Sequence, residues 1–287
     1  LLYDAYTHNS QVITSPSDVI EKSDESPPLT GTTTDTVDNQ SKSSDIETRV
    51  NQNALEKTID VESDNLKVKI SLFDGSIVRV ELKKFKDSFG SDSNVVLIDA
   101  NNLGYEARSD VQFTNLESPE GYSSDKQAFF ADTYPYTVTI ASDRESYRVS
   151  KKYTFYESSH LINVENEVYN KSTNSIQARH YNTIQRGEDL SSNVMLYTYT
   201  GAAYYDDENK FSKVSFDDIV DTNLKLKTKS SWISMLEHYF FSAWISTKDS
   251  VQTIYTRNLS SSKNGSSYLV GSVSDYSMIP VNSSKIF

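Results

Sequence analysis

The chain has 287 residues, of which 36% are hydrophobic and 24% are charged, and its formal net charge is −12. This acidic balance argues against nucleic acid as a partner and against a basic patch for anionic lipids, since both need clustered cations. The absence of cysteine excludes disulfides, thiolate metal ligands and cysteine nucleophiles. No run of 18 apolar residues occurs, so the sequence predicts no membrane-spanning helix.

The N-terminal part differs in composition from the remainder. Residues 1–10 begin Leu-Leu-Tyr-Asp-Ala-Tyr, which is typical of the interfacial end of a membrane anchor, although signal-peptide trimming would leave a similar start. No Phe, Trp or Tyr occurs between Tyr6 and Phe73. We therefore expect a juxtamembrane stub at 1–10 and a disordered acidic linker at 11–56. The folded domain is expected over 57–287, incomplete at its C-terminal end.

From Thr58 onward, apolar and polar residues alternate, which predicts strands. The run Leu66–Leu72 is followed by Asp74-Gly75, which predicts a tight hairpin because glycine readily adopts the positive φ of the turn. Further strands are predicted at Val95–Ile98, Ala128–Ala131, Tyr136–Ile140, Tyr147–Phe155, Leu161–Tyr169, Ile176–Ile184, Thr253–Tyr255, Tyr268–Val273 and Met278–Val281. With no amphipathic helices between them, these strands predict a mainly all-β fold, a large antiparallel β-sandwich with few short helices.

The stretch 196–245 holds both tryptophans of the chain, Trp232 and Trp244. Because aromatic side chains bury large areas, we expect the densest packing there. A Gly-Ala-Ala-Tyr step at 201–204 leads into a polar loop predicted at 206–213. The later run from Trp232 to Phe241 could be scored as helical, but its aromatics crowd both faces, which favours strand–turn–strand.

No catalytic or metal-binding arrangement is predicted. The chain has four histidines, which lack His-x-His or His-x-x-x-His spacing: His8, His160, His180 and His238. Acidic pairs occur at 165 and 167, 206 and 207, and 217 and 218, and such pairs serve glycoside hydrolysis only when held about 5–10 Å apart across a substrate. No nucleophile elbow, phosphate loop or dinucleotide fingerprint is present, so no cofactor is predicted.

The order of the pieces within 196–245 resembles the periplasmic domain of the YidC/Oxa1/Alb3 family of membrane protein insertases. A Gly-Ala-Ala-Tyr step, a Phe-Asp-x-Ile element and a Trp-x-x-Met-x-x-x-Tyr-Phe-x-x-Ala-Trp-Ile run follow one another at the family's spacing. The matching motif residues are Gly201, Ala202, Ala203, Tyr204, Phe216, Asp217, Trp232, Met235, Tyr239, Phe240 and Trp244. Ser246 departs from the family's usual proline, and Thr200 departs from its common basic residue.

The resemblance covers most of 57–287 and implies a galactose-mutarotase-like β-sandwich (supersandwich) on the periplasmic side of a bacterial inner membrane. It implies neither catalysis nor a cofactor or metal in this chain, because the family's insertion chemistry belongs to later membrane helices. The implied partners are the Sec translocon, its accessory proteins SecD and SecF, and nascent membrane proteins. We expect the surface of 196–245 to contribute to the translocon contact; the alternative is that this stretch is only the densest part of the core.

Two further interpretations stay open on the residues alone. A carbohydrate-binding or mutarotase-like protein would need, for catalysis, a histidine acid and a carboxylate base that converge in a cleft. His180 and Glu165 are the candidates for that pair. A surface or secreted adhesin-like β protein would also fit the acidic composition, rich in serine and asparagine.

Overall fold

The computed structural model describes residues 54–187, 199–247, 249–259 and 266–287. The predicted stub and nearly all of the predicted linker therefore lie outside the described residues. The described strands are β1 Thr58–Glu62, β2 Leu66–Ser71, β3 Ile77–Lys86, β4 Asn94–Asp99, β5 Glu106–Phe113, β6 Ala128–Phe130, β7 Tyr136–Asp143, β8 Tyr147–Phe155, β9 Ile162–Asn170, β10 Ile176–Gly187, β11 Gly201–Asp206, β12 Lys210–Val214, β13 Lys225–Lys229, β14 Trp232–Leu236, β15 Phe241–Ile245, β16 Val251–Asn258, β17 Ser267–Ser274, β18 Ser277–Ile279 and β19 Ser284–Ile286. A helix, α1, spans Phe216–Asp221.

Within the described residues the strands form three sheets. The large sheet has 11 strands in the order β13-β16-β17-β10-β5-β3-β2-β1-β6, with β18 paired to β10 and β4 paired to β3. The β11 sheet has the order β12-β11-β14-β15, and the β8 sheet has the order β19-β9-β8-β7. Hairpin neighbours such as β7 and β8 pair antiparallel, whereas β1 and β6 pair in parallel. The predicted large, mainly antiparallel β-sandwich is confirmed.

Local sequence explains the strands of the first hairpin. Leu66, Val68 and Ile70 of β2 are buried, and the intervening Lys67 is exposed. Gly75 in the turn has φ of +71°, as the Asp-Gly pair predicted. The strand–turn–strand prediction within 196–245 is also confirmed, since β14 and β15 pair directly across a turn.

Both small sheets lie on one face of the large sheet. His180 and Arg186 occupy positions of the same parity on β10, so their side chains point to the same side. The His180 ring stacks on Phe287, next to β19 of the β8 sheet, with ring centroids 6.3 Å apart. Arg186 Nη1 lies 2.9 Å from Glu237 Oε1, in the β14–β15 turn of the β11 sheet. The buried apolar core fills the space between these layers.

Several elements differ from the sequence predictions. The alternation did not predict β5, β13 or β19. Strand β5 reads Glu-Ala-Arg-Ser-Asp-Val-Gln-Phe and is buried almost throughout, so its charged residues conceal the pattern. Strand β13, Lys-Leu-Lys-Thr-Lys, lies at the edge of its sheet and carries exposed lysines. The polar loop predicted at 206–213 is wrong, because 210–214 form strand β12 and only a short turn at 207–209 joins it to β11.

Candidate functional site

The Gly-Ala-Ala-Tyr step begins β11, which lies between β12 and β14. A Cβ atom on Gly201 would come within 2.7 Å of the Tyr199 hydroxyl oxygen and 3.1 Å of the Val214 carbonyl oxygen. Glycine therefore avoids crowding between β11 and these neighbouring groups. Ala202 and Ala203 are fully buried, so larger side chains would not fit without displacement of their neighbours.

The inner face of the β11 sheet packs onto the large sheet. Tyr204, Ile233 and Met235 are buried there. Trp244 is partly buried, and its indole Nε1 donates a hydrogen bond to the carbonyl oxygen of Thr183 on β10 at 3.0 Å. These motif residues therefore join two sheets and are packing residues.

The Phe-Asp-x-Ile element forms α1. Ser215 caps the helix, and Ser215 and Asp218 form a reciprocal capping box, whose hydrogen bonds lower the pKa of the Asp218 carboxyl. Phe216 is buried and stacks on Tyr268 at 4.2 Å between ring centroids. Asp217 is exposed in the first turn of the helix. This motif therefore fixes the helix against the core and presents one carboxylate to solvent.

Two further motif residues, Tyr239 and Phe240, lie in the turn between β14 and β15. Phe240 is partly buried, and its ring lies 5.4 Å from that of Phe85 in an edge-to-face arrangement. Tyr239 is 82% exposed. Apart from Tyr239 and Asp217, the motif residues are wholly or partly buried, so the motif that marks the family mainly specifies packing.

The outer face of the β11 sheet carries a row of large apolar side chains that the sequence reading did not single out. The row crosses the four strands and consists of Phe211, Tyr205, Trp232 and Ile245. The Trp232 ring lies 6.1 Å from Tyr205 and 5.9 Å from Phe211. Phe211 is 52% exposed and Ile245 is 69% exposed. We call this set the outer aromatic row. Strand β12 reads Lys-Phe-Ser-Lys-Val, in which Phe211 and Val214 lie on opposite faces, so the segment carries no alternation that would predict the row.

A second feature is a buried ionic cluster that links β8 to β5 of the large sheet. The Lys151 ammonium of β8 lies 3.2 Å from the Asp110 carboxylate and donates a hydrogen bond to the carbonyl oxygen of Asp74 at 2.8 Å. Arg108 contacts the same two aspartates, with Nη2 at 2.9 Å from Asp110 and Nη1 at 3.4 Å from Asp74. All four side chains are buried. The sequence signal for this cluster was Lys151, which stands at an inward-facing position of β8 among apolar residues.

The charges of the buried ionic cluster balance. Burial alone would raise the pKa of Asp74, but Arg108, hydrogen bonds from Ser76 and the charge of Lys151 hold this pKa below its ordinary value. Burial, with a contribution from Asp74, raises the pKa of the neighbouring Glu106 to about 8. Glu106 is therefore mostly protonated at neutral pH. Burial lowers the pKa of Lys151, and the charges of Asp110 and Asp74 oppose this shift, so the cluster pairs Arg108 and Lys151 with these two aspartates.

The acid–base pair considered for a mutarotase-like reaction does not converge, so that prediction is wrong. His180 points into the sandwich, where its Nε2 lies 2.9 Å from the Ser109 hydroxyl and burial lowers its pKa to about 4. On β9, Asn166 points inward and donates a hydrogen bond to Ser109. Its neighbour Glu165 points to the opposite side and pairs with Lys152 at 3.1 Å.

Other site types have little support in the described residues. These residues contain no cluster of three or more histidines and acids that could hold a metal ion. Among the helices of the same ranges, none is long and apolar enough to cross a membrane. A groove of about 380 Å³ lies beside β6, where charged residues such as Lys69 and Arg79 line it together with Phe130; neither His180 nor Glu165 belongs to it.

The large sheet, with the two small sheets packed on one face, forms a β-sandwich of the galactose-mutarotase-like type. A solved structure of a galactose mutarotase-like protein from Lactobacillus casei superposes with a TM-score of 0.51, covering 80% of this chain and 97% of that chain. Sequence identity is 10%, so the likeness shows the fold alone.

Sequence similarity identifies the family to which the chain belongs. The model of the YidC periplasmic domain matches residues 58–287. A membrane protein insertase YidC of Haemophilus ducreyi is 30% identical over 208 residues, which are 70% of this chain and 39% of the relative. The corresponding protein of Methylobacillus flagellatus is 31% identical over 229 residues, 75% of this chain and 40% of the relative. The chain belongs to the YidC family of membrane protein insertases and carries its periplasmic domain. It spans about two-fifths of the length of these relatives.

Proposed function

We propose that this chain is the periplasmic interaction module of a membrane protein insertase in a bacterial inner membrane. It binds and positions partners without covalent chemistry of its own, and it assists the insertion and folding of membrane proteins alone or with the Sec translocon. Membership of the YidC family supports this proposal. The absence of convergence between His180 and Glu165 supports the non-enzymatic part, because those residues were the acid–base pair that the sequence offered.

The outer aromatic row is the observation that carries the proposal. The inner face of the β11 sheet is already packed on the large sheet, whereas its outer face presents Phe211 and Ile245 largely to solvent. Tyr205 and Trp232 lie between them and extend the apolar surface across the whole sheet. Aromatic side chains on a rigid sheet are typical centres of protein–protein interfaces, because they bury much area at low entropy cost.

We infer that the partner on this row is a component of the Sec translocon or its accessory proteins SecD and SecF. Nascent membrane proteins are the partners of the remaining part of such an insertase. Substitutions on the outer aromatic row test this contact without disturbing a backbone pairing.

The experiment uses the full-length insertase with Phe211→Ser and Ile245→Ser together. Burial of each side chain contributes about 1.5–3 kcal/mol to an interface, so co-purification of SecD and SecF should fall at least about tenfold. Met278→Ser is the matched control, because Met278 is an exposed apolar residue of β18, outside the β11 sheet. Undiminished co-purification with the double variant would refute the proposed contact. Unfolding curves of the variants verify that the fold is retained.

A further inference from the structure

Three turns from the three sheets meet at one end of the molecule. Phe85, near the end of β3, is their shared contact. Its ring lies 5.9 Å from His160, which precedes β9, and 5.4 Å from Phe240 in the β14–β15 turn. We call this end the aromatic pole, and it comprises Phe85, Phe89, His160, Leu161, Tyr239 and Phe240.

The tips of the aromatic pole are unusually exposed for apolar residues. Phe89 in the β3–β4 turn is 109% exposed, Tyr239 is 82% exposed and Leu161 is 57% exposed. Each tip belongs to a different sheet, so their spacing is fixed by the packing of the whole sandwich. Large side chains at the tips of neighbouring turns can enter an apolar phase together without rearrangement of the core.

The last strand runs toward the aromatic pole. Strand β19 runs antiparallel to β9, with Ile286 opposite Glu167. Phe287 then exchanges both backbone hydrogen bonds with Asn166, at 3.0 and 3.1 Å. Because β9 begins at Ile162, beside Leu161, the antiparallel β19 points toward this end of the sandwich and ties it to the β8 sheet.

The pole is not a basic patch. Lys86 is held within its own turn, where its ammonium donates hydrogen bonds to the Asp92 carbonyl and the Asn94 side chain. Asp87 and Glu157 lie in the same turns, so cations and acids are mixed. Any affinity for a bilayer would therefore come from the apolar tips and depend little on anionic lipid.

We propose that the aromatic pole inserts its tips into the headgroup layer of the membrane, so that the domain stands on the bilayer at this end. The inference rests on the proposed function only in placing the domain beside a membrane. Aromatic rings favour the interface between headgroups and hydrocarbon, and two of the three exposed tips, Phe89 and Tyr239, supply such rings, while Leu161 adds an aliphatic side chain.

The lack of cysteine in the sequence permits a site-specific test. Single variants of the 287-residue chain, Phe89→Cys and Tyr239→Cys, are labelled with a polarity-sensitive fluorophore and mixed with phosphatidylcholine vesicles. Met278→Cys is the control, because β18 pairs with the N-terminal end of β10. The C-terminal end of β10 is the one near the pole, since Arg186 contacts Glu237 in the β14–β15 turn. Emission should shift to the blue and intensify at 89 and 239 but not at 278. Water-like emission at 89 and 239, or an equal response at all three sites, would overturn the proposal.

A second measurement removes the tips. The triple variant Phe89→Ser, Leu161→Ser and Tyr239→Ser should float with phosphatidylcholine vesicles about tenfold less than the parent chain, because three buried apolar side chains are lost. Replacing a quarter of the lipid by phosphatidylglycerol should change the parent's flotation less than about twofold. Equal flotation of variant and parent contradicts the inference. If circular dichroism shows the triple variant unfolded, the labelled single variants decide.

These measurements contain only the chain and lipid, so they are independent of the translocon contact. Loss of co-purification through the outer aromatic row would leave the vesicle results unchanged, and failure in vesicles would leave the co-purification unchanged. The labels at 89 and 239 can also be compared between protein-free vesicles and cell membranes that carry the full-length insertase. Shielding of the labels only in the cell membranes would overturn the lipid proposal and assign the pole to a protein partner.

Discussion

The buried ionic cluster makes Lys151→Met the most informative stability variant. The Lys151 ammonium is fully buried, and it contacts the Asp110 carboxylate, the Asp74 carbonyl oxygen and, at 4.9 Å, the ring of Tyr122. Methionine retains the length and apolar stem but leaves Asp110 with one cation fewer. Removing one partner of a buried ion pair typically costs about 3–5 kcal/mol, a large share of the roughly 5–15 kcal/mol stability of a domain.

The matched control is Lys69→Met. Lys69 pairs with Asp60 on the surface, where both side chains are largely exposed, so its loss should cost about 0–1 kcal/mol. The assay is urea unfolding followed by tryptophan fluorescence, with Trp232 and Trp244 as reporters and the slope compared between variants. If Lys151→Met and Lys69→Met lose the same stability, within about 0.5 kcal/mol, the cluster does not fasten the β8 sheet to the large sheet and the reasoning is refuted.

Three further predictions concern single sites. The pKa of Glu106 is about 8 in the folded state and ordinarily 4.5, so its contribution to stability should decline as pH rises from 4.5 to 8. Because His180 acts in the opposite sense below pH 6.5, the net decline should appear between pH 6.5 and 8; Glu106→Gln should remove it in urea unfolding, and an unchanged slope there would contradict the assignment. The pKa of His180 is lowered from 6.5 to about 4, so the stability that its neutral form contributes above pH 6.5 should be lost as pH falls toward 4. His180→Asn should reduce this loss of stability in urea unfolding. An unchanged loss in the variant would assign it to other groups. Gly201→Ala should cost about 1–3 kcal/mol, because its Cβ would crowd the Tyr199 hydroxyl and the Val214 carbonyl; an unaltered thermal midpoint would show that these neighbours can move aside.

Features set by local sequence were predictable. The alternation around Val68 specified β2, and the Asp-Gly pair specified its hairpin, because a positive φ at Gly75 depends on the turn itself. Aromatics on both faces of 232–241 correctly favoured two strands over a helix. The order of motif pieces identified the family, although most of those residues are packing residues.

Features created by long-range pairing were not predictable from the pattern. Strand β5 lacks alternation because its buried Arg108 pairs with Asp110 and Asp74, and Asp110 also pairs with Lys151 on another sheet. No local signal reports the partners outside β5. The outer aromatic row likewise exists only once β12, β11, β14 and β15 are aligned, since its members are distant in sequence. The sequence places Phe211 in a predicted loop and Trp232 among the motif residues and candidate partner contacts, and it does not predict that the two rings meet.

We propose that the outer face of the β11 sheet is the partner-binding surface of the insertase. The most direct measurement is in-cell photocrosslinking of the full-length protein, with Phe211 or, as a control, Met278 replaced by a photoreactive phenylalanine analogue. Position 211 should give a discrete adduct with SecD, SecF or a translocon subunit, and position 278 should not. Adducts at 211 that are absent or no stronger than those at 278 would contradict the account.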